Sequence, residues 1–142
     1  MSVTAAKGFA AAGVHAGIRR KGLDLAVVRS TVPSVGAAMF TVNRVLAAPV
    51  VVSKQHIAAT APQAIVINSG VANAATGRQG ELDALATAAQ TAALLELEPE
   101  QVLVLSTGVI GALLPLDRVR SGLVDAAAAL SVEGAADRKS VV

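Results

Sequence analysis

Two periodicities divide the chain. Between residues 81 and 97, Leu82, Leu85, Ala89, Ala92 and Leu95/Leu97 recur at helical spacing, and Glu98-Pro99 ends the pattern. A second helix is predicted over 115–130 from Leu116, Val119, Leu123, Ala126/Ala127 and Leu130. Pro115 suits its first turn, where a missing N–H is no loss. Between them lies Val102-Leu103-Val104-Leu105, an unbroken apolar run with β-branched Val, which reads as a strand buried on both faces. Ala64-Ile65-Val66-Ile67 reads the same way and is closed by Asn68-Ser69-Gly70. Two buried strands flanking a long helix predict a crossover connection and a parallel pair.

The front of the chain is less regular. Residues 23–29 carry Leu25-Ala26-Val27-Val28 and predict a strand, which Thr31-Val32-Pro33-Ser34 breaks. Residues 35–42 predict a second strand, and the short polar break between the two argues for an antiparallel pair. Residues 7–18 are rich in small side chains, with Gly8, Gly13 and Gly17, and fit an extended or loosely looped segment. Ala47-Ala48-Pro49-Val50-Val51-Val52 holds a proline, which favours a strand edge or a strand's first residue. Ser53 is then placed to cap a short helix over 54–58. The expected fold class is α/β or α+β, one domain with a mixed sheet and helices layered on it, without internal repeat or linker.

Composition narrows the classes. At 142 residues the length fits a single domain with a real core. Apolar residues make up 54% and charged residues 15%, and Phe appears twice as the only aromatic. Apolar runs are interrupted well short of a membrane span, so no transmembrane helix is expected. The start, Met1 to Lys7, lacks the charged-then-apolar order of a signal peptide. Cysteine is absent, which excludes disulfides and thiolate chemistry and is compatible with a cytoplasmic setting. A net charge of +2 gives no basic stripe, and stacking aromatics are lacking, so nucleic acid is not an expected partner. Arg19-Arg20-Lys21, followed by Gly22, reads as a solvated turn rather than a phosphate site.

Little catalytic grammar is visible. There is no Gly-x-Gly-x-x-Gly after a strand and no phosphate loop ending in Gly-Lys-Ser/Thr. His15 and His56 stand alone without metal spacing, and Glu96, Glu98 and Glu100 read as a solvated helix end. Two polar strand ends remain. Ser106-Thr107-Gly108 reads as a turn after its strand. It is an ordinary strand-to-helix turn, or one that presents backbone N–H groups to a developing oxyanion. Residues 68–77 read as a loop that is a substrate rim or a connection whose Asn side chains cap its own backbone.

At these two places the sequence resembles the ornithine acetyltransferase (glutamate N-acetyltransferase) family of arginine biosynthesis. The resemblance rests on Asn68-Ser69-Gly70-x-Ala72-Asn73-Ala74-x-Thr76-Gly77, then Ser106-Thr107-Gly108-Val109-Ile110-Gly111 with Leu114-Pro115. Earlier motifs agree: Val3-Thr4-Ala5-x-Lys7-Gly8-Phe9, Ala12-Gly13-Val14, Asp24-Leu25-Ala26, Phe40-Thr41-x-Asn43 and Ala47-Ala48-Pro49-Val50. The resemblance implies a mixed α/β fold of layered sheets and helices, of the DmpA type, akin to but not wired like the N-terminal nucleophile hydrolases. It implies a self-cleaving precursor whose internal Thr carries acetyl from N-acetylornithine to glutamate, some members also using acetyl-coenzyme A as donor. No bound cofactor or metal is implied. The implied oxyanion hole is Thr107 and Gly108, and the implied substrate rim is Asn68, Ser69, Gly70, Asn73, Thr76 and Gly77. The implied partner is a second subunit of the same precursor, in an α–β heterotetramer, and the implied location is the cytoplasm.

Some positions depart from the family pattern. Val71 stands where Asn is usual, and Ala75 where Cys is usual. An Ile-Met-Thr-Thr-Asp-like substrate segment, a Lys-containing glycine segment and the cleavage-site Thr are absent. Residues 1–136 are therefore read as the N-terminal part of the first subunit, which holds no nucleophile and is expected to be inactive alone. Residues 137–142 are read as a non-native tail resembling sequencing-adapter read-through. Two alternatives stand beside this: a self-processing aminopeptidase or amidase of related fold, and a non-catalytic binding or assembly module on the same scaffold.

Overall fold

The computed structural model describes residues 3–133. Its sheet is four-stranded in the order β1 (Phe9–Val14), β2 (Leu25–Ser30), β3 (Ala64–Val71), β4 (Val102–Val109). The first two pairings are antiparallel and the third is parallel, so the sheet is mixed. Among the described residues three α-helices accompany it: α1 (Ala48–Ala59), α2 (Gly77–Leu95) and α3 (Leu116–Ala128). The crossover through α2 joins the parallel pair, as the two buried apolar runs predict.

One face of the sheet carries the core. Ala12, Leu25, Val27, Ala64, Val66, Val102 and Val104 pack there against Ala88, Ala92 and Leu95 of α2 and Val119, Leu123 and Ala126 of α3. Small residues allow this closeness. A Cβ on Gly122 would lie 2.5 Å from Ala16 Cβ and 2.9 Å from Leu25 Cδ2, so only glycine lets α3 approach there. The α3 stripe is as expected from its periodicity, whereas that of α2 is displaced. Leu82 and Leu85 are exposed, and the buried positions are Gly80, Asp83, Ala84, Thr87, Ala88, Thr91, Ala92 and Leu95. Serving α1, α3 and the sheet together, α2 turns its small residues inward, and the bulkier leucines lie outside the tight contacts.

Sequence pattern and structure part company in the front half. Residues 9–14 form a full strand, and it is this strand, not 35–42, that pairs with β2. Residues 33–43 have no regular secondary structure, and Val35, Met39 and Val42 are almost wholly exposed. With β1 and β3 on either side of it, β2 has no free edge for a third neighbour. Residues 48–59 form one helix rather than an edge strand with a short helix after it. Pro49 falls in its first turn, where proline is tolerated, and Val52 packs on Ala48 and Ala84, which overrides the β preference of the Val run. Leu105 is exposed and Leu103 half-buried, so β4 is buried on one face only rather than on both.

Both sheet edges are covered over part of their length. Along β1, Ala11 N–H donates to Ser131 O (2.9 Å) and Ser131 N–H donates to Ala11 O (3.2 Å). Along β4, α1 supplies side chains to the backbone. Ser53 Oγ donates to Val104 O (2.8 Å) and accepts from Val104 N–H (2.9 Å). His56 Nδ1 lies 2.8 Å from Val102 O, a carbonyl that can only accept, so Nδ1 carries the proton.

Candidate functional site

The two polar strand ends are one place. The parallel ladder does not stop at Ile67 and Leu105 but runs on through Asn68↔Ser106, Ser69↔Thr107, Gly70↔Gly108 and Val71↔Val109. Ser106-Thr107-Gly108 is therefore strand rather than turn, and the first four residues of the expected 68–77 loop belong to β3. Side chains reinforce the pairing. Ser106 Oγ donates to Asn68 Oδ1 (2.6 Å), and Asn68 Nδ2 donates to Val71 O (2.8 Å).

Glycine makes the approach possible. Gly70 and Gly108 both have positive φ, 110° and 130°. A Cβ on Gly108 would stand 2.3 Å from Gly70 C, 2.4 Å from Gly70 O and 2.6 Å from Val71 N. Backbone therefore passes over backbone here, and no other side chain fits.

Polarity converges on Thr107. Its Oγ1 makes a long 3.5 Å contact to Asn68 O, which leaves the exposed hydroxyl able to turn to a better acceptor. The backbone of Val104 faces the outer edge, toward Ser53. By ladder alternation Ser106 and Gly108 turn the same way. Because Ser53 meets Val104 and His56 meets Val102, the N-terminus of α1 points toward Ser106 and Thr107. That end has no side-chain cap, and its partial positive charge favours negative charge developing nearby. A groove of about 420 Å³ joins these parts, with Pro49 and Val50 of α1, Met39 and Phe40, and Leu103 to Thr107 along its walls. The arrangement suits stabilisation of an oxyanion by fixed donors.

A model of the ArgJ family matches residues 10–141. The chain belongs to the ArgJ family. Among its relatives, the arginine biosynthesis bifunctional protein ArgJ of Listeria monocytogenes is 48% identical over 123 residues, covering 86% of this chain and 31% of that protein. The protein of the same name from Streptomyces coelicolor is 51% identical over 136 residues, covering 94% of this chain and 36% of the relative. The chain thus spans about a third of the length of the curated relatives it matches. Among solved structures, ArgJ from Bacillus halodurans superposes with a TM-score of 0.92 at 40% identity, over 100% of this chain and 75% of that one. Ornithine acetyltransferase of Mycobacterium tuberculosis, solved with ornithine, gives 0.91 at 40% identity, over 98% of this chain and 76% of that one. The mixed α+β sheet is that of ArgJ structures.

Within this ArgJ framework the expected site residues separate into two groups. Asn68, Ser69, Gly70, Thr107 and Gly108 come together at the paired strand ends. Asn73 is wholly buried. Its Nδ2 donates to Gly80 O (2.8 Å), its Oδ1 accepts from Thr76 Oγ1 (2.8 Å) and its carbonyl accepts from Ala48 N–H (3.3 Å). Asn73 and Thr76 thereby tie the start of α2 to α1, while Gly77 is exposed as the first residue of α2. Val71 ends β3 and gives its carbonyl to Asn68, and Ala75 is exposed at φ 56°. Residues 137–142 lie outside the described residues.

The sequence pattern passed over two structural supports. Ser53, expected at a helix start, lies inside α1 and serves the β4 edge. Asp24, an acid inside an apolar run, is wholly buried, and that placement was its available signal. Arg19, Arg20 and Lys21 are all exposed, as the solvated-turn reading expects, and Arg19 Nη1 makes a 3.4 Å contact to Ser69 Oγ. Among the described residues no helix is long and apolar enough to cross a membrane, and no group of His, Asp and Glu is disposed to hold a metal.

Proposed function

We propose that this chain forms part of an acetyltransferase of arginine biosynthesis that moves acetyl from N-acetylornithine to glutamate, with Thr107 and Gly108 as the oxyanion hole. The observation that carries the reading is the Gly70–Gly108 crossing, which holds Thr107 and Gly108 at the open edge of β4 beside the N-terminus of α1.

In this reading a Thr hydroxyl from beyond these residues attacks the acetyl carbonyl of N-acetylornithine. The carbonyl oxygen takes on negative charge, which Thr107 Oγ1–H and Gly108 N–H stabilise. Collapse expels the ornithine amine, which takes up a proton, and leaves acetyl-Thr. The glutamate amine then attacks acetyl-Thr through a second oxyanion at the same donors, and the Thr hydroxyl is regenerated. Fixed donors cost no reorganisation at the moment of reaction. Acetyl-coenzyme A is a further candidate donor, since a thioester carbonyl presents the same oxygen. In this reading Asn68, Ser69 and Gly70 support the site from the neighbouring strand, Asn68 by locking Ser106 and Val71. A second subunit from the same precursor, assembled as an α–β heterotetramer in the cytoplasm, would bring the nucleophile. This chain alone should then yield no N-acetylglutamate.

The test is Thr107→Ala in a full-length family protein carrying this segment. Loss of one oxyanion donor should lower kcat by roughly 10²–10³-fold. An unchanged kcat would remove Thr107 from the chemistry.

A further inference from the structure

We infer that the Ser106 hydroxyl is a positioning group for the oxyanion hole: through Asn68 it sets the register in which Thr107 and Gly108 are held. The inference rests on the acetyltransferase reading of the site. The crossing of β3 and β4 needs such a device. Gly70 and Gly108 stand opposite each other in the ladder. Glycine-rich strands specify their register weakly, because no side chain at the contact distinguishes one pairing from the next. The feature that lets backbone pass over backbone therefore leaves the donors without a lock of their own.

Asn68 supplies the lock. It is 4% exposed, and both halves of its amide are bonded. Val71 O can only accept, so the amide nitrogen faces it at 2.8 Å. The amide oxygen then faces Ser106 Oγ at 2.6 Å, and the Ser106 hydroxyl must be the donor. The bond to Val71 spans Gly70, whose φ is 110°. Val71 is paired in turn with Val109, whose carbonyl accepts Ala72 N–H at 2.9 Å. On β4 the held residues are thus Ser106 and Val109, and the two between them are Thr107 and Gly108. Thr107 Oγ1 also contacts the backbone carbonyl of Asn68, at 3.5 Å. Successive hydroxyls of β4 therefore engage one residue, Ser106 at its side chain and Thr107 at its backbone.

The role is exerted through these neighbours rather than on the substrate. Strand alternation puts Ser106 on the face of Val104, which packs in the core, and Thr107 on the opposite face with Leu103 and Leu105. Without the Ser106 hydroxyl the buried amide oxygen of Asn68 loses its donor, and an amide with one half unpaired turns to find another. The bond to Val71 is then lost with it, and the span over Gly70 is free to shift against Gly108.

The experiment measures kcat and KM for N-acetylornithine in a full-length family protein carrying this segment. Ser106→Ala, Ser106→Cys and Ser106→Thr are each made with and without Thr107→Ala. Displacement of the donors by Ser106→Ala should lower kcat by about 10- to 100-fold. KM should stay within about twofold, since only transition-state stabilisation is lost. Ser106→Thr keeps the hydroxyl and should hold kcat within about threefold of wild type. In the Thr107→Ala background Ser106→Ala should cost about threefold or less, because a donor that it positions is already gone. Thermal melts check folding; should Ser106→Ala not fold, Ser106→Cys, of similar shape and a weak donor, gives the same readout. A wild-type kcat in Ser106→Ala, a loss carried by KM, or an undiminished loss in the Thr107→Ala background overturns the role of Ser106 and leaves the acetyltransferase reading intact. A wild-type protein that transfers no acetyl overturns that reading and this inference with it.

Discussion

Replacing Gly108 by Ala adds one methyl group at the place where the two strand ends cross. Its φ of 130° is a conformation that L side chains rarely adopt, and holding Ala there costs about 1–3 kcal/mol. The new Cβ would also lie 2.3 Å from Gly70 C, 2.4 Å from Gly70 O and 2.6 Å from Val71 N. These are backbone atoms of a paired strand, so no rotamer change relieves the overlap, and a further 1–3 kcal/mol or so follows from forced displacement. Gly111→Ala is the control. Gly111 also has positive φ, 81°, yet nothing lies within 4 Å of its Cβ position, so only a backbone cost of about 1–2 kcal/mol applies. Urea unfolding of full-length proteins carrying each change reads the difference. With m near 1–3 kcal/mol/M, the overlap should lower the Gly108→Ala midpoint by about 0.3–3 M beyond that of Gly111→Ala. Its kcat should fall as well, because prising β4 from Gly70 moves the oxyanion donors. Unfolding free energies for the two variants within about 0.5 kcal/mol of each other would refute the close crossing and the site geometry built on it.

The other predictions concern the supports of the site. Ser53→Ala should destabilise the protein by about 2–5 kcal/mol, because it strands both the N–H and the C=O of Val104; hydrogen exchange at Val104 should speed up, and an unchanged rate would show that Ser53 does not guard the edge. Asp24→Asn should cost about 2–3 kcal/mol, since an amide NH₂ would face the N–H groups of Ala16 or Arg19. A full-length Asp24→Asn protein that melts like wild type would remove the loop's supporting role.

What sequence alone could determine followed from local chemistry. The apolar runs 64–67 and 102–105 and the helical period between them predict a parallel crossover, because burying such runs on either side of a long helix leaves few other arrangements. The period of α3 marks its buried face for the same reason. The motif residues at 68–77 and 106–111 carry the family, and the match over residues 10–141 agrees. Tertiary structure decided the rest, wherever an outcome depended on partners distant in the chain. Residues 9–14 are a strand because β2 offers an edge, and 35–42 are not because no edge remains. The Val run at 50–52 is helical because Ser53 and His56 must reach the β4 backbone from one helix face. Thr107 and Asn68 share a site because glycine at both 70 and 108 lets the ladder continue past the point where each motif alone reads as a turn. Local preference is worth tenths of a kcal/mol per residue, whereas a stranded buried hydrogen bond costs about 1–3 kcal/mol, so the long-range partner wins where the two conflict.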